Sequence, residues 1–104
     1  MANKKSVFEC VDYRKFLRSW VTDMGPSGRG EWSRMAKALR VTSTMVSQVM
    51  REERNLSPEL ASDLCDYIGF SEEEARHFLL LVDLARAGSV SLRKRIKQQV
   101  IESQ

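Results

Sequence analysis

The run from Trp32 to Pro58, WSRMAKALRVTSTMVSQVMREERNLSP, leaves this chain few ways to fold. Trp32, Met35, Ala36 and Leu39 recur at helical spacing and form one apolar face. Met45, Val46, Val49 and Met50 form a second, with Ser43, Thr44, Ser47, Gln48 and Arg51 on the opposite side. Only a turn of three or four residues separates the two helices. Helices joined so closely must pack on each other, which holds the second one out at a fixed angle. The spacing predicts a helix-turn-helix over about 31–52, with an outward-facing second helix over about 43–51.

The flanking segments read as helices too. Asp12 is a good N-cap, and Tyr13, Phe16, Leu17, Trp20, Val21 and Met24 continue an apolar stripe to about Asp23 or Met24. The segment Gly25-Pro-Ser-Gly-Arg-Gly30 breaks that helix and predicts a flexible connection. Ser57-Pro58 is a helix start, with a capping serine and proline at the first helical position. Leu60, Ala61, Leu64, Cys65 and Ile68 follow as the core stripe, and Gly69 ends it. Ser71-Glu-Glu-Glu74 has the pattern of a capping box for a fifth helix reaching towards Gly88. A last helix over about 91–102 carries Leu92, Ile96 and Val100, with Arg93, Lys94, Arg95 and Lys97 between them. No stretch alternates apolar and polar residues as a half-buried strand would. The expected fold is all-α, five to six helices in a single domain over 1–104.

Charge is distributed unevenly. The 104 residues carry a net +3, a weak bias towards an anionic partner. Between Arg29 and Arg54, however, stand six bases against Glu31, Glu52 and Glu53, whereas Glu59 to Glu74 holds six acids and no base. Such a division suggests one face for an anionic partner and another kept away from it. Cys10 and Cys65 fit no metal-ligand spacing, and Cys65 falls on an apolar helix stripe, so a buried, reduced thiol is expected there. The longest apolar run, Phe78 to Val82, is too short to span a bilayer, and the N-terminus lacks the apolar core of a signal peptide. A cytoplasmic protein is the expectation.

The run from Met35 to Ile68 resembles the λ-repressor-like (Xre-type) helix-turn-helix family. The resemblance rests on Met35-Ala36, Val41-Thr42 in the turn, Val46-Ser47, and Arg54-Asn-Leu-Ser-Pro58 leading to Leu60, Leu64 and Ile68-Gly69. The outer pieces, Asp12-Tyr-Arg-Lys-Phe-Leu17 and Gly69-Phe-Ser-Glu-Glu-Glu-Ala75, look like the N-terminal module of a group of uncharacterised bacterial proteins taken to be transcriptional regulators. The resemblance implies a DNA-binding regulator acting on double-stranded DNA. It places Ser43, Thr44, Ser47 and Gln48 at base edges, and Arg34, Lys37, Arg40, Arg51 and Arg54 at phosphates. It also implies a dimer reading two half-sites, for which the fifth helix (Leu80, Leu81, Leu84) and the C-terminal stripe are candidate surfaces. One position departs from the family. Arg40 stands where glycine is usual in the turn, so it must take a positive φ or the turn must differ.

Other readings of the same residues are more ordinary. Ser43, Thr44, Ser47 and Gln48 also make a plain solvated face, and the low net charge with Glu52 and Glu53 past the second helix suits a protein-interaction module. Trp20 and Trp32 read as core. His77, the one histidine, sits in an acid-rich helix and reads as solvated. No second histidine, cysteine cluster or glycine-rich phosphate cradle accompanies it, so neither enzyme activity nor a metal or other cofactor is expected.

Overall fold

Capping side chains set the helix starts. Asp12 accepts the backbone N–H groups of Arg14 and Lys15 at the head of α1, Tyr13–Asp23. Thr42 Oγ1 accepts from Met45 N at 3.0 Å to open α3, Ser43–Met50. Ser57 accepts from Leu60 N at 3.1 Å before α4, Pro58–Ile68. Ser71 and Glu74 form the reciprocal capping box of α5, Glu72–Arg86. Ser89, two residues upstream of the expected start, caps α6, Val90–Ser103. Each cap satisfies an amide that the helix itself leaves unpaired. The computed structural model describes residues 6–104, which hold these helices, α2 over Glu31–Leu39, and two 3-10 turns, Val7–Glu9 and Gly25–Gly28. No strand occurs among the described residues, and the fold is all-α.

α2 has no side-chain cap and starts from Gly30, at φ 78°. Its first turn is held instead by Glu31, 3% exposed, whose carboxylate accepts from the Tyr67 hydroxyl at 2.6 Å and pairs with Arg34 at 2.9 Å. Arg34 also donates to the carbonyls of Ser27 (2.6 Å) and Arg29 (2.8 Å). The segment read as a flexible connection is therefore wound into a 3-10 turn and tied back to α2.

The core runs through every helix. Phe78 of α5 is wholly buried, with the rings of Tyr13, Phe16 and Phe70 at 6.1, 6.3 and 5.6 Å. Met35, Ala36, Val46 and Val49 pack α2 on α3, and Leu64 and Cys65 bring in α4. The two tryptophans depart from their expected core places. Trp20 is half-buried, edge-on to Tyr67 at 6.2 Å, and Trp32 is half-buried beside α3. An indole is too large to be swallowed by so small a core.

His77 corrects the sequence reading outright. It is completely buried, not solvated. Its Nε2 lies 3.2 Å from the Cys10 carbonyl and its Nδ1 2.9 Å from Ser103 Oγ. A carbonyl can only accept, so Nε2 carries the hydrogen there, and Nδ1 bonds the serine hydroxyl. The ring thereby joins the N-terminal turn, α5 and the end of α6. α6 itself lies along α5, burying Val100 and Leu81 to 1% exposure. Leu80, Leu84 and Ile96 are half-buried, so most of the stripe proposed for a dimer is covered within the chain. Leu92, Val90 and Ile101 stay exposed.

Cys65 is buried on α4 as expected, and burial pushes its thiol up to about 11. At pH 8 a thiol-modifying reagent should leave Cys65 intact in the folded protein and label it rapidly in urea, as mass mapping would show. Alkaline pH should also destabilise the fold. Above pH 9, the ordinary value, the unfolded thiol ionises while the folded one stays protonated until about 11.

Candidate functional site

The surface around α3 follows from how its two sides differ. Val46 and Val49 are buried, at 8% and 3% exposure. Ser43 and Thr44 are exposed on the other side, and Ser47 and Gln48 are half-exposed. A turn of three residues, Arg40 to Thr42, links α3 to α2. Arg40 takes the left-handed conformation, at φ 60° and ψ 40°. With it, Val41 N–H reaches the Ala36 carbonyl at 3.0 Å and Arg40 N–H that of Lys37 at 3.2 Å. This is the pair of bonds that ordinarily ends a helix on glycine. The exit from α3 repeats the device with another charged residue. Glu52 has φ 65°, and Glu53 N–H reaches the Gln48 carbonyl at 2.9 Å.

Strain of this kind costs about 1 kcal/mol per residue and here keeps a cation at the corner. Arg40→Gly should raise stability by about 1 kcal/mol in chemical denaturation, since glycine adopts the turn freely. The sequence left open whether Arg40 would adopt a positive φ; it does. At Glu52 nothing in the sequence announced one.

Six of the nine residues singled out from the sequence gather along α3 and its exit: Ser43, Thr44, Ser47, Gln48, Arg51 and Arg54. Arg54 Nη1 donates to Gln48 Oε1 at 3.4 Å, and Arg51 pairs with Glu53 at 3.0 Å. Both partners of the Arg51 pair are more than half exposed. Such pairs are weak, and an incoming anion can replace the carboxylate. Lys37 and Arg40 are exposed on α2 and at its end. Arg34 stands apart, occupied by Glu31 and the Gly25–Gly30 segment.

Two residues that shape this surface escaped the sequence reading. Arg14 of α1 is 8% exposed, and its guanidinium donates to Val49 O (2.6 Å), Arg54 O (2.8 Å) and Asn55 Oδ1 (2.9 Å). It also lies 4.7 Å from the centre of the Tyr13 ring. Arg18, one turn along, donates to Met50 O. Two cations thus close the C-terminal carbonyls of α3, at the negative end of its dipole. The Tyr13 hydroxyl donates to Asn55 Oδ1 at 3.0 Å and accepts from Leu56 N. Burial holds that phenol above its ordinary pKa, so it remains a donor. Asn55 continues to Ala85 O, and Arg86 donates to Leu56 O. The loop that carries Arg51 and Arg54 is thereby fastened to α1 and α5. The available signal was the i, i+4 spacing of Arg14 and Arg18 along the edge of an apolar stripe.

Between α1, α2 and α3 a half-open cleft of about 360 Å³ is lined by Arg18, Trp32, Ser43, Ser47, Met50 and Arg51, over Val46. Among the described residues no helix is long and apolar enough to cross a membrane, and no group of three or more His, Cys, Asp or Glu could hold a metal ion. No family model, curated protein or solved structure matches the chain.

Proposed function

We propose that this chain is a DNA-binding regulator of the λ-repressor-like type, with α3 as the helix that enters the major groove of double-stranded DNA. One observation carries the reading. α3 is pinned at its buried side by Val46 and Val49 and at its C-terminal carbonyls by Arg14 and Arg18, while its polar side stands open. A helix held so firmly, with Ser43, Thr44, Ser47 and Gln48 outward, suits insertion into a groove about 12 Å wide. Gln48 would read an adenine edge and the hydroxyls would reach either base type. Lys37, Arg40, Arg51 and Arg54 would position the domain on phosphates. Arg34 is the weakest member of that set, because its donors already have partners.

A protein-interaction module without DNA function is the second reading, favoured by the Arg51–Glu53 pair, which neutralises a cation beside α3. As dimers, two copies would read half-sites about 34 Å apart. The apolar surface left for such pairing is Leu92, Val90 and Ile101 on α6.

Two variants test the assignment of roles. On duplexes selected by the protein and on scrambled controls, Gln48→Ala should reduce the preference between them by roughly tenfold, the scale of one bidentate base contact. Arg54→Ala should weaken both alike and lower the salt slope by about 1. Equal loss on both duplexes from Gln48→Ala would contradict the base-reading role.

A further inference from the structure

We propose that the cleft between α1, α2 and α3 binds a small molecule consisting of an aromatic ring bearing an anionic group. Its volume of about 360 Å³ falls in the range of small-ligand sites, roughly 300–1,000 Å³. Its walls are chemically divided. Trp32 and Met50 offer a polarisable apolar surface suited to a flat ring. Arg18 and Arg51 supply two guanidiniums, and Ser43 and Ser47 two hydroxyls. No carboxylate lines the cleft. A cation would meet only repulsion there, and an aliphatic chain would leave the arginines and serines unused. An anion of phosphate or carboxylate shape matches the planar donor fork of arginine.

Both arginines are placed for this. Arg18 is anchored by the bond to Met50 O, which commits one of its five donors and holds the rest of the head group at the cleft. Arg51 also lines the cleft and pairs with Glu53 across an exposed contact of 3.0 Å. A ligand anion offers the same kind of bond, and an exposed pair of this sort is weak enough for Glu53 to be displaced. The site stands whether or not α3 reads DNA. If it does, occupancy and DNA exclude each other, because Ser43 and Ser47 belong both to the cleft wall and to the open face of α3.

Phenyl phosphate serves as the probe, since phenol and inorganic phosphate are its two halves. In the full chain carrying Trp20→Phe, indole emission reports Trp32 alone. Phenyl phosphate should quench it saturably, with an apparent affinity at least about tenfold above that of either half. Arg51→Gln should weaken that affinity several-fold. In the unaltered chain, amide shifts on titration should cluster at Ser43, Ser47 and Met50, which keeps the test valid if Trp20→Phe disturbs the fold. Quenching without saturation, equal effects from phosphate alone, or shifts scattered over other surfaces would overturn the proposal. A duplex that binds should also release the phenyl phosphate. A chain that binds the probe but no DNA keeps the site and loses the regulatory reading.

Discussion

Arg14→Met should destabilise the fold by about 2–3 kcal/mol, read as a fall in the urea midpoint without a change in slope. Arg14 sits at 8% exposure with donors on Val49 O, Arg54 O and Asn55 Oδ1. Methionine replaces much of the stem volume but leaves the Arg54 carbonyl without this donor, while the Val49 carbonyl keeps the Glu52 N–H at 3.0 Å. A buried acceptor left unsatisfied costs about 1–3 kcal/mol. Asn55 Oδ1 keeps the Tyr13 hydroxyl, which limits the loss at that point. The C-terminal end of α3 also loses a cation, worth up to about 1 kcal/mol. Arg14→Lys should recover only part, since one ammonium cannot span three acceptors in the guanidinium plane. Lys15→Met, next along α1 and exposed, should change stability by less than about 0.5 kcal/mol. A loss below about 1 kcal/mol for Arg14→Met would mean that α3 is held by apolar packing alone.

The helical scaffold was legible because its signals are local. Asp12, Thr42, Ser57 and Ser71 each cap a helix by bonding an amide two or three residues on, and the apolar stripes fall on faces that are buried. What escaped depends on partners distant in the chain. His77 looks like one polar residue in an acidic helix, yet its ring bonds Cys10 and Ser103, 67 and 26 residues away. Arg14 is buried only because acceptors 35 to 41 residues later close around it. No periodicity encodes such a pairing. Leu80, Leu81 and Leu84 of α5 suggested a dimer surface, but that face is largely covered by α6 of the same chain. At the site, the outward set Ser43, Thr44, Ser47 and Gln48 followed directly from helical spacing. Arg34 did not, since charge alone cannot tell a free cation from one tied to Glu31.

The second large effect concerns salt. With Lys37, Arg40, Arg51 and Arg54 on four phosphates, log affinity should fall with log salt at a slope of about −3.6. Raising the salt from about 50 to about 200 mM should then weaken binding roughly a hundredfold. Arg34, if released from Glu31 on binding, would steepen the slope by about one further unit. Glu53→Gln works in the opposite direction, freeing Arg51 and tightening binding to all duplexes alike. The decisive measurement is a fluorescence-anisotropy titration of the full chain with labelled genomic duplex fragments at those two salt concentrations. The account predicts saturable binding at the lower salt and a roughly hundredfold loss at the higher. No saturable binding at low ionic strength, from a chain with intact helical circular dichroism, would contradict it and leave α3 as a surface for a protein partner.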